Sequence, residues 1–428
     1  MLRIPLYQER LWRLRGSYMR CIVQKYGGSS VADAKRIKQV ATRIAETAKN
    51  GSRVVAVVSA MGDTTDRLMG LAREVSDGPE PRELDVLLST GELVSCTLVA
   101  MRLRTIGIDA ISLSGAQAGI RTDNRYGKAR IAGVDTKRIS TELDSGKIVV
   151  VAGFQGITEH HDITTLGRGA SDLSAVAIAA GLNATRCEIY TDVEGIFTAN
   201  PNFVPSARKL DHIGYEEMLE MASYGAKMQP RSIELAMVYN VPVYVASSFA
   251  SSTGTMIHGE VDSMDSVGEI RNKARSVPTE SNVAKITVRD VVDRPGLSAS
   301  IFEPLTDADI SVDIIVQNAS VGGTTDVTFT VGSEDLQQAL NIVNDTAKKI
   351  GAGEVLSADN LAKVSVVGTG MQNSPGYAST MFRTLAGAGI NIEMISTSEI
   401  RITCVIEAAF IEDAARALHK AFDLDEIS

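Results

Sequence analysis

Cysteine, histidine and the aromatic residues are all scarce in this chain of 428 residues, and each scarcity closes off a class of protein. The four cysteines, Cys21, Cys96, Cys187 and Cys404, are scattered without a CxxC or a Cys/His cluster. That excludes a zinc module and a disulfide framework, and points to buried reduced thiols in a cytoplasmic protein. His160, His161, His212, His258 and His419 show no metal-ligand spacing and read as surface residues. No apolar run is long enough to span a bilayer, so no membrane partner is expected. Positive charge is outweighed: 43 Lys and Arg against 52 Asp and Glu leave a formal charge of -9, which argues against a dedicated nucleic-acid binder. Residues 1–20 hold five arginines and the only tryptophan, but lack the long apolar core of a secretory signal. They read as an N-terminal extension, with Met19 as an alternative start.

What the chain does have is Gly, Ala, Val and Ile in a pattern of alternating strands and helices, and length enough for two or three domains. It is organised around Val23-Gln24-Lys25-Tyr26-Gly27-Gly28-Ser29-Ser30. A short apolar strand runs into two glycines and two hydroxyls. A helix follows from Asp33 to Ala48, with Ile37, Val40, Ala41, Ile44 and Ala45 on one face. Strand, Gly-Gly turn and helix can hold anionic oxygens, because glycine lets the backbone approach and the opening N–H groups point at the ligand. The stretch is neither a Walker loop nor a dinucleotide fingerprint, and alone it would be an ordinary βα turn.

Further strands end in polar loops, where ligands of open α/β sheets bind. Arg53–Val58 leads into Ser59 to Asp66; Lys147–Ala152 into Gly153 to Thr158; Cys187–Tyr190 into Thr191, Asp192 and Gly195. Residues 83–105 read as helical but interrupted by Leu88-Ser89-Thr90-Gly91-Glu92. The segment Thr164-Thr165-Leu166-Gly167-Arg168-Gly169-Ala170-Ser171-Asp172 precedes an apolar helix from Leu173 to Ala180, with Ser171 or Asp172 as its N-cap. The whole reads as an α/β domain over 21–262, its parallel sheet between helices.

A polar linker over 263–282 comes next, and then the chain repeats itself. Pro295-Gly296 with Ile301, Phe302 and Leu305 recurs eighty positions later as Pro375-Gly376 with Met381, Phe382 and Leu385. Each copy reads strand, Pro-Gly turn, amphipathic helix, strand, strand, helix, giving small α+β domains at 283–357 and 358–428. Pro304 is expected to kink the first copy's helix.

In order along the chain, Lys25-Tyr26-Gly27-Gly28-Ser29-Ser30, Leu88-Ser89-Thr90-Gly91-Glu92, Thr164 to Asp172, Tyr190-Thr191-Asp192-Val193-(x)-Gly195, Glu220 to Lys227 and Met394 to Ile400 together resemble the aspartate kinases. The resemblance covers nearly everything from residue 21 onward. It implies an amino-acid-kinase (carbamate-kinase-like) fold followed by two ACT (ferredoxin-like) domains. It implies phosphorylation of the side-chain carboxylate of L-aspartate by ATP with Mg2+, the step that opens lysine, threonine and methionine biosynthesis. Two departures stand out: Ala170 replaces a glycine, and Lys227-Met228-Gln229-Pro230-Arg231 is about one residue short, with a proline in place of an N–H donor. Another amino-acid kinase, acting on glutamate or acetylglutamate, and a catalytically silent amino-acid sensor are the alternatives. A homoserine dehydrogenase module is not expected to follow.

The resemblance also implies roles. Lys25 and Lys227 would neutralise the transferring phosphoryl group, with Asp172 pairing both. Gly27, Gly28, Ser29, Ser59, Thr191, Asp192, Gly195 and Arg231 would hold ATP. Thr65, Glu92, Arg168 and Ser171 would bind aspartate, Arg168 pairing with a carboxylate and Glu92 accepting from the ammonium. No protein cage for a metal is expected, since Mg2+ keeps to phosphate oxygens and water. Asp293, Gln317, Asn318, Asn373, Asn391, Ile392 and Ser396 are candidates for an effector site, with L-lysine or L-threonine as effector. A homo-oligomer through the ACT domains is expected.

Overall fold

The structure, a computed structural model, describes residues 20–226, 228–250, 252–259, 274–318, 322–371 and 375–426. It divides into two compact units. One is built from residues 20–196, 209–219 and 228–259, the other from residues 197–208, 220–226 and 274–426.

The first unit opens with β1 (Cys21–Tyr26), α1 (Ala34–Lys49) and β2 (Arg53–Val58). Then come α2 (Thr64–Val75), α3 (Pro81–Thr105), β3 (Ala110–Leu113), β4 (Ile120–Thr122) and β5 (Ile131–Val134). They lead to α4 (Lys137–Asp144), β6 (Ile148–Ala152), β7 (Gln155–Ile157), β8 (Ile163–Thr165) and α5 (Ser171–Gly181). The last elements are β9 (Arg186–Thr191), β10 (His212–Gly214), α6 (Tyr215–Ser223), α7 (Pro230–Val238), β11 (Val243–Ser247) and β12 (Thr255–His258).

Eight strands form the main sheet, in the order β10-β12-β11-β9-β1-β2-β6-β3. Every pair in it is parallel except β11 with β12. Its central strands β2 and β6 are the continuous valine-rich runs, buried from Val54 to Val58 and from Ile148 to Ala152, as parallel strands covered on both faces must be. Helix α1 starts on Asp33, whose carboxylate accepts from the Arg36 N–H, and buries Ile37, Val40, Ala41, Ile44 and Ala45. A four-stranded sheet, β5-β4-β7-β8, completes the unit.

The expected break in α3 is corrected: the helix is continuous from Pro81 to Thr105. The Ser89 and Thr90 hydroxyls donate to the carbonyls of Val86 and Leu87 within the helix, at 2.8 and 2.7 Å, so they fold back on the turn before them. Gly91 serves a close approach, since a Cβ there would lie 2.9 Å from the Ala60 methyl. By length and composition α3 could cross a membrane. Here it is a core helix, burying Cys96, Val99, Ala100 and Leu103 in the same cluster as β2 and β6.

The second unit contains β13 (Thr279–Val292), α8 (Leu297–Asp307), β14 (Ile315–Gln317), β15 (Thr324–Gly332), α9 (Leu336–Ile350) and β16 (Val355–Val367). After these come α10 (Tyr377–Gly387), β17 (Met394–Thr397), β18 (Arg401–Glu407) and α11 (Ile411–Ala421). Helix α8 runs through Pro304 to Asp307.

One sheet joins both repeats, in the order β14-β15-β13-β16-β18-β17. Its two long strands are shared. Lys285–Val288 of β13 pair with Val355–Ala358 of β16 in the first copy, while Thr279 and Glu280 pair with Val364 and Lys363 of the second. The stretch 263–282, expected as a linker, therefore ends as strand. Its polar residues Ser281 and Asn282 face solvent, and Glu280 is held by Lys363 at 3.0 Å. His419, expected at the surface, is 1% exposed and lies 2.8 Å from the Thr198 hydroxyl. All four cysteines are free thiols, and three of them are buried.

Candidate active site

Strand β1 carries Lys25 to the carboxyl edge of the sheet, where its ammonium lies 2.6 Å from Asp172 Oδ1. Both residues are nearly buried, 9% and 7% exposed, so this ion pair is shielded from solvent and salt. Asp172 sits in the first turn of α5, where unpaired N–H groups favour a carboxylate. The N-cap, however, is Ala170, with an ordinary φ of -77°, and neither Ser171 nor Asp172 caps the helix. Their side chains point to other partners: Asp172 to Lys25, and Ser171 to the Ser59 hydroxyl at 2.9 Å.

The turn after β1 crosses the turn after β2. Gly62 N donates to the Gly28 carbonyl at 3.1 Å, and a Cβ on Gly28 would lie 3.0 Å from the Ala60 oxygen. Any larger residue at position 28 would need that loop to give by a few tenths of an ångström. Gly27 N donates to the Tyr190 carbonyl at 3.3 Å, which brings the end of β9 alongside. There the Thr191 hydroxyl donates to Asp192 at 3.0 Å, and Gly195 packs against Thr255, whose hydroxyl a Cβ on Gly195 would meet at 2.6 Å.

Glu92 enters from α3. Its Oε1 accepts from Ala60 N at 3.1 Å; its Oε2 is buried without a hydrogen-bond partner. Burial pushes its carboxyl up to about 7, against the pull of the Ala60 N–H. Ser95, one turn on, donates to the Ser59 carbonyl at 2.6 Å. Glu92, Ala60, Ser59, Ser171, Asp172 and Lys25 thus lie along one connected path of peptide bonds, hydrogen bonds and an ion pair.

Arg168 sits between two left-handed glycines, Gly167 at φ 96° and Gly169 at φ 74°. Its side chain is 80% exposed and reaches Asp66 at 3.3 Å. With Thr65, Met69, Leu84, Leu88 and Phe154 it lines a cavity of about 160 Å³. Arg231 lies on this side as well. Its guanidinium donates to the carbonyls of Leu166 at 2.7 Å and Ala129 at 2.9 Å. Pro230 opens α7 at a position whose N–H needs no partner within the helix, so the loss of that donor costs nothing there. Lys227 lies outside the described residues.

Asp85 escaped sequence reasoning. It is 1% exposed and accepts from Thr165 N, the Thr165 hydroxyl and Gly127 N, at 2.8, 2.6 and 2.9 Å. The available signal was spacing, since Asp85 and Glu92 stand seven apart and so share a helix face.

In the second unit Gln317 accepts from the Ser298 hydroxyl at 3.1 Å, at the start of α8. Asp293 N donates to the Gly323 carbonyl at 3.0 Å, continuing the β13–β15 pairing, and the Asn318 carbonyl accepts from the Thr325 hydroxyl. Asn391 donates to Glu393, Ile392 packs on the second copy's core, and Ser396 lies in β17. Asn373 lies outside the described residues.

Known proteins match nearly the whole chain. Residues 20–247 match the amino acid kinase family, and residues 286–346 and 364–422 match an ACT domain. An aspartokinase of Mycolicibacterium smegmatis is 48% identical over 410 residues, spanning 95% of this chain and 97% of that protein. An aspartate kinase of Pseudomonas putida is 48% identical over 408 residues, spanning 95% and 98%. Among solved structures, aspartate kinase from Synechocystis is 42% identical, with TM-score 0.52 over 94% of this chain and 69% of that one. Escherichia coli aspartokinase III, solved with aspartate and ADP, shares the fold at 24% identity, with TM-score 0.79 over 94% of this chain and all of that one.

Proposed function

The chain belongs to the aspartate kinase family, and we propose that it transfers the γ-phosphoryl group of Mg2+–ATP to the side-chain carboxylate of L-aspartate. The product is 4-phospho-L-aspartate. The carrying observation is the path from Glu92 to Lys25, which sets an unpartnered carboxylate oxygen at one end and a shielded ammonium at the other. An amino acid that is also a phosphoryl acceptor needs both: an anion for its own ammonium, and a cation for the phosphoryl charge.

Phosphoryl transfer asks the protein for positioning and charge neutralisation. Aspartate's side-chain carboxylate is ionised at neutral pH, so no general base is required. Lys25, with Lys227, would stabilise charge on the transferring group, and Asp172 would hold the Lys25 ammonium in place. Gly28 and Ser29 would donate to phosphate oxygens, with Gly27 and Ser59, whose own donors are spent on Tyr190, Tyr26 and Ser171, lining the ATP site beside them, while Thr191, Asp192 and Gly195 would border the nucleotide. Mg2+ would enter with the nucleotide, held by phosphate oxygens and water. Asp172, the acid beside Lys25, already has a lysine partner, so the protein side of this site offers cations rather than a carboxylate cage. Glu92 would take the α-ammonium and Arg168 the α-carboxylate, with Thr65 and Ser171 adding hydroxyls.

The reaction would open the route to lysine, threonine and methionine in the cytoplasm, with lysine or threonine acting back through the ACT unit of a homo-oligomer. The test is ADP release with aspartate, glutamate and acetylglutamate in turn. Release is expected with aspartate alone; equal release with either of the others would overturn the assignment.

A further inference from the structure

A carboxylate-binding arginine on a glycine arch needs its backbone fixed from outside, because the glycines on both sides of Arg168 leave the arch soft. The structure supplies that fixation at the two residues leading into it. Thr165 N and its hydroxyl donate to Asp85 at 2.8 and 2.6 Å, and its carbonyl accepts from Ala129 N at 2.9 Å. Leu166 N donates to the Phe154 carbonyl at 2.9 Å, and its own carbonyl accepts from Arg231 at 2.7 Å. Every polar group of these two residues is thereby engaged.

The same two charged side chains hold the facing loop. Gly127 N donates to Asp85 at 2.9 Å, and Arg231 donates to the Ala129 carbonyl at 2.9 Å. Asp85 comes from α3 and Arg231 from α7, so the grip is anchored on two helices. Hydrogen bonds to charged groups are the stronger kind, and a bifurcated guanidinium fixes direction as well as distance.

We propose that Asp85 and Arg231 are positioning residues for substrate recognition: they clamp the Thr165–Leu166 peptides so that Arg168 stands ready for the substrate's carboxylate. This rests on the aspartate kinase reading above, and it replaces the nucleotide contact that the sequence pattern suggested for Arg231. Asp85 also borders the cavity that Arg168 lines, but its carboxylate oxygens are taken by Thr165 and Gly127, so in this proposal both residues act through the backbone.

Steady-state kinetics on the full-length enzyme, with aspartate and ATP varied separately, tests this. Asp85→Asn turns one acceptor into an NH2 group facing N–H donors, and Arg231→Met removes both bonds to carbonyls. Each is expected to raise KM for aspartate about ten- to a hundredfold, the scale of a misplacement near 1 Å, while KM for ATP stays within about twofold. Arg231→Lys, which can still reach one carbonyl, falls between. Where a variant fails to fold, the pair Thr165→Val and Thr165→Ser carries the test: valine loses one bond to Asp85 and raises KM for aspartate, and serine restores it. Equal effects on both substrates would overturn the clamp, and a rise confined to ATP for Arg231→Met would return that residue to the nucleotide. Unchanged variants of an active enzyme would refute the clamp alone. A wild-type enzyme with no aspartate-dependent ADP release would refute the activity itself.

Discussion

Lys25 and Asp172 are the clearest case of one residue explaining another. A lysine this buried needs its carboxylate, and deleting either leaves the other charge uncompensated. Lys25→Ala is expected to lower turnover by roughly 10²–10³, the scale of losing one electrostatic donor to a transition state. Turnover near that of the wild type would remove Lys25 from the chemistry. Glu92 makes a second prediction. Its folded value of about 7 lies above the 4.5 of a free glutamate, so the folded state resists ionising it. Stability should therefore fall as pH rises from about 4.5 and level off above 7, by up to ~3 kcal/mol. Glu92→Gln should flatten that slope. Aspartate, whose ammonium pairs with the ionised form, should restore stability to the wild type only. Thermal unfolding from pH 5 to 8, with and without aspartate, reads this out, and identical slopes for the two proteins would contradict it. Both residues were legible in sequence as members of local patterns, but Glu92's unpartnered oxygen was not. That depends on where Ala60 arrives in the loop after β2.

At the scale of elements, legibility followed periodicity. The α1 stripe and the valine-rich β2 and β6 stood out, because each pattern mirrors the burial that produces it. Helix α3 was misread because Ser, Thr and Gly normally interrupt a helix. Here tertiary contact overrides that preference, and the glycine is there for what it abuts. Gly91→Ala shows the competition. Alanine gains about 1 kcal/mol of helix propensity, but a Cβ 2.9 Å from the Ala60 methyl overpacks by about 1–3 kcal/mol. The expected result is net destabilisation together with a raised KM for aspartate, since Ala60 N is the donor to Glu92. A stabilised variant with unchanged kinetics would show that the loop yields freely. The start of β13 was hidden for another reason. Its Glu280-Ser281-Asn282 run is polar, and its pairing partner lies in the other repeat.

For the whole molecule, the repeat was visible in sequence but its joining was not. The copies look like successive domains, yet they complete one six-stranded sheet between them. Candidate effector groups fall on the corresponding strands of the two copies, Gln317 in β14 and Ser396 in β17. We expect lysine or threonine to bind there and to lower aspartate affinity, with reciprocal weakening of effector binding by aspartate, as linkage demands. Titration calorimetry with each amino acid, alone and together, checks this. Absence of heat and of inhibition at millimolar concentration would leave the repeat an assembly module.

The sharing of β13 and β16 also sets a timetable for synthesis. Thr279 and Glu280 leave the ribosome about 80 residues ahead of Lys363 and Val364, an interval on the order of 4–16 s at common elongation rates. Throughout that interval the nascent strand carries an unmatched row of amides and carbonyls, an invitation to pair with a neighbouring chain. Polysome crowding and chaperone supply, rather than the stability of the finished sheet, should then govern how much of this protein reaches its native form.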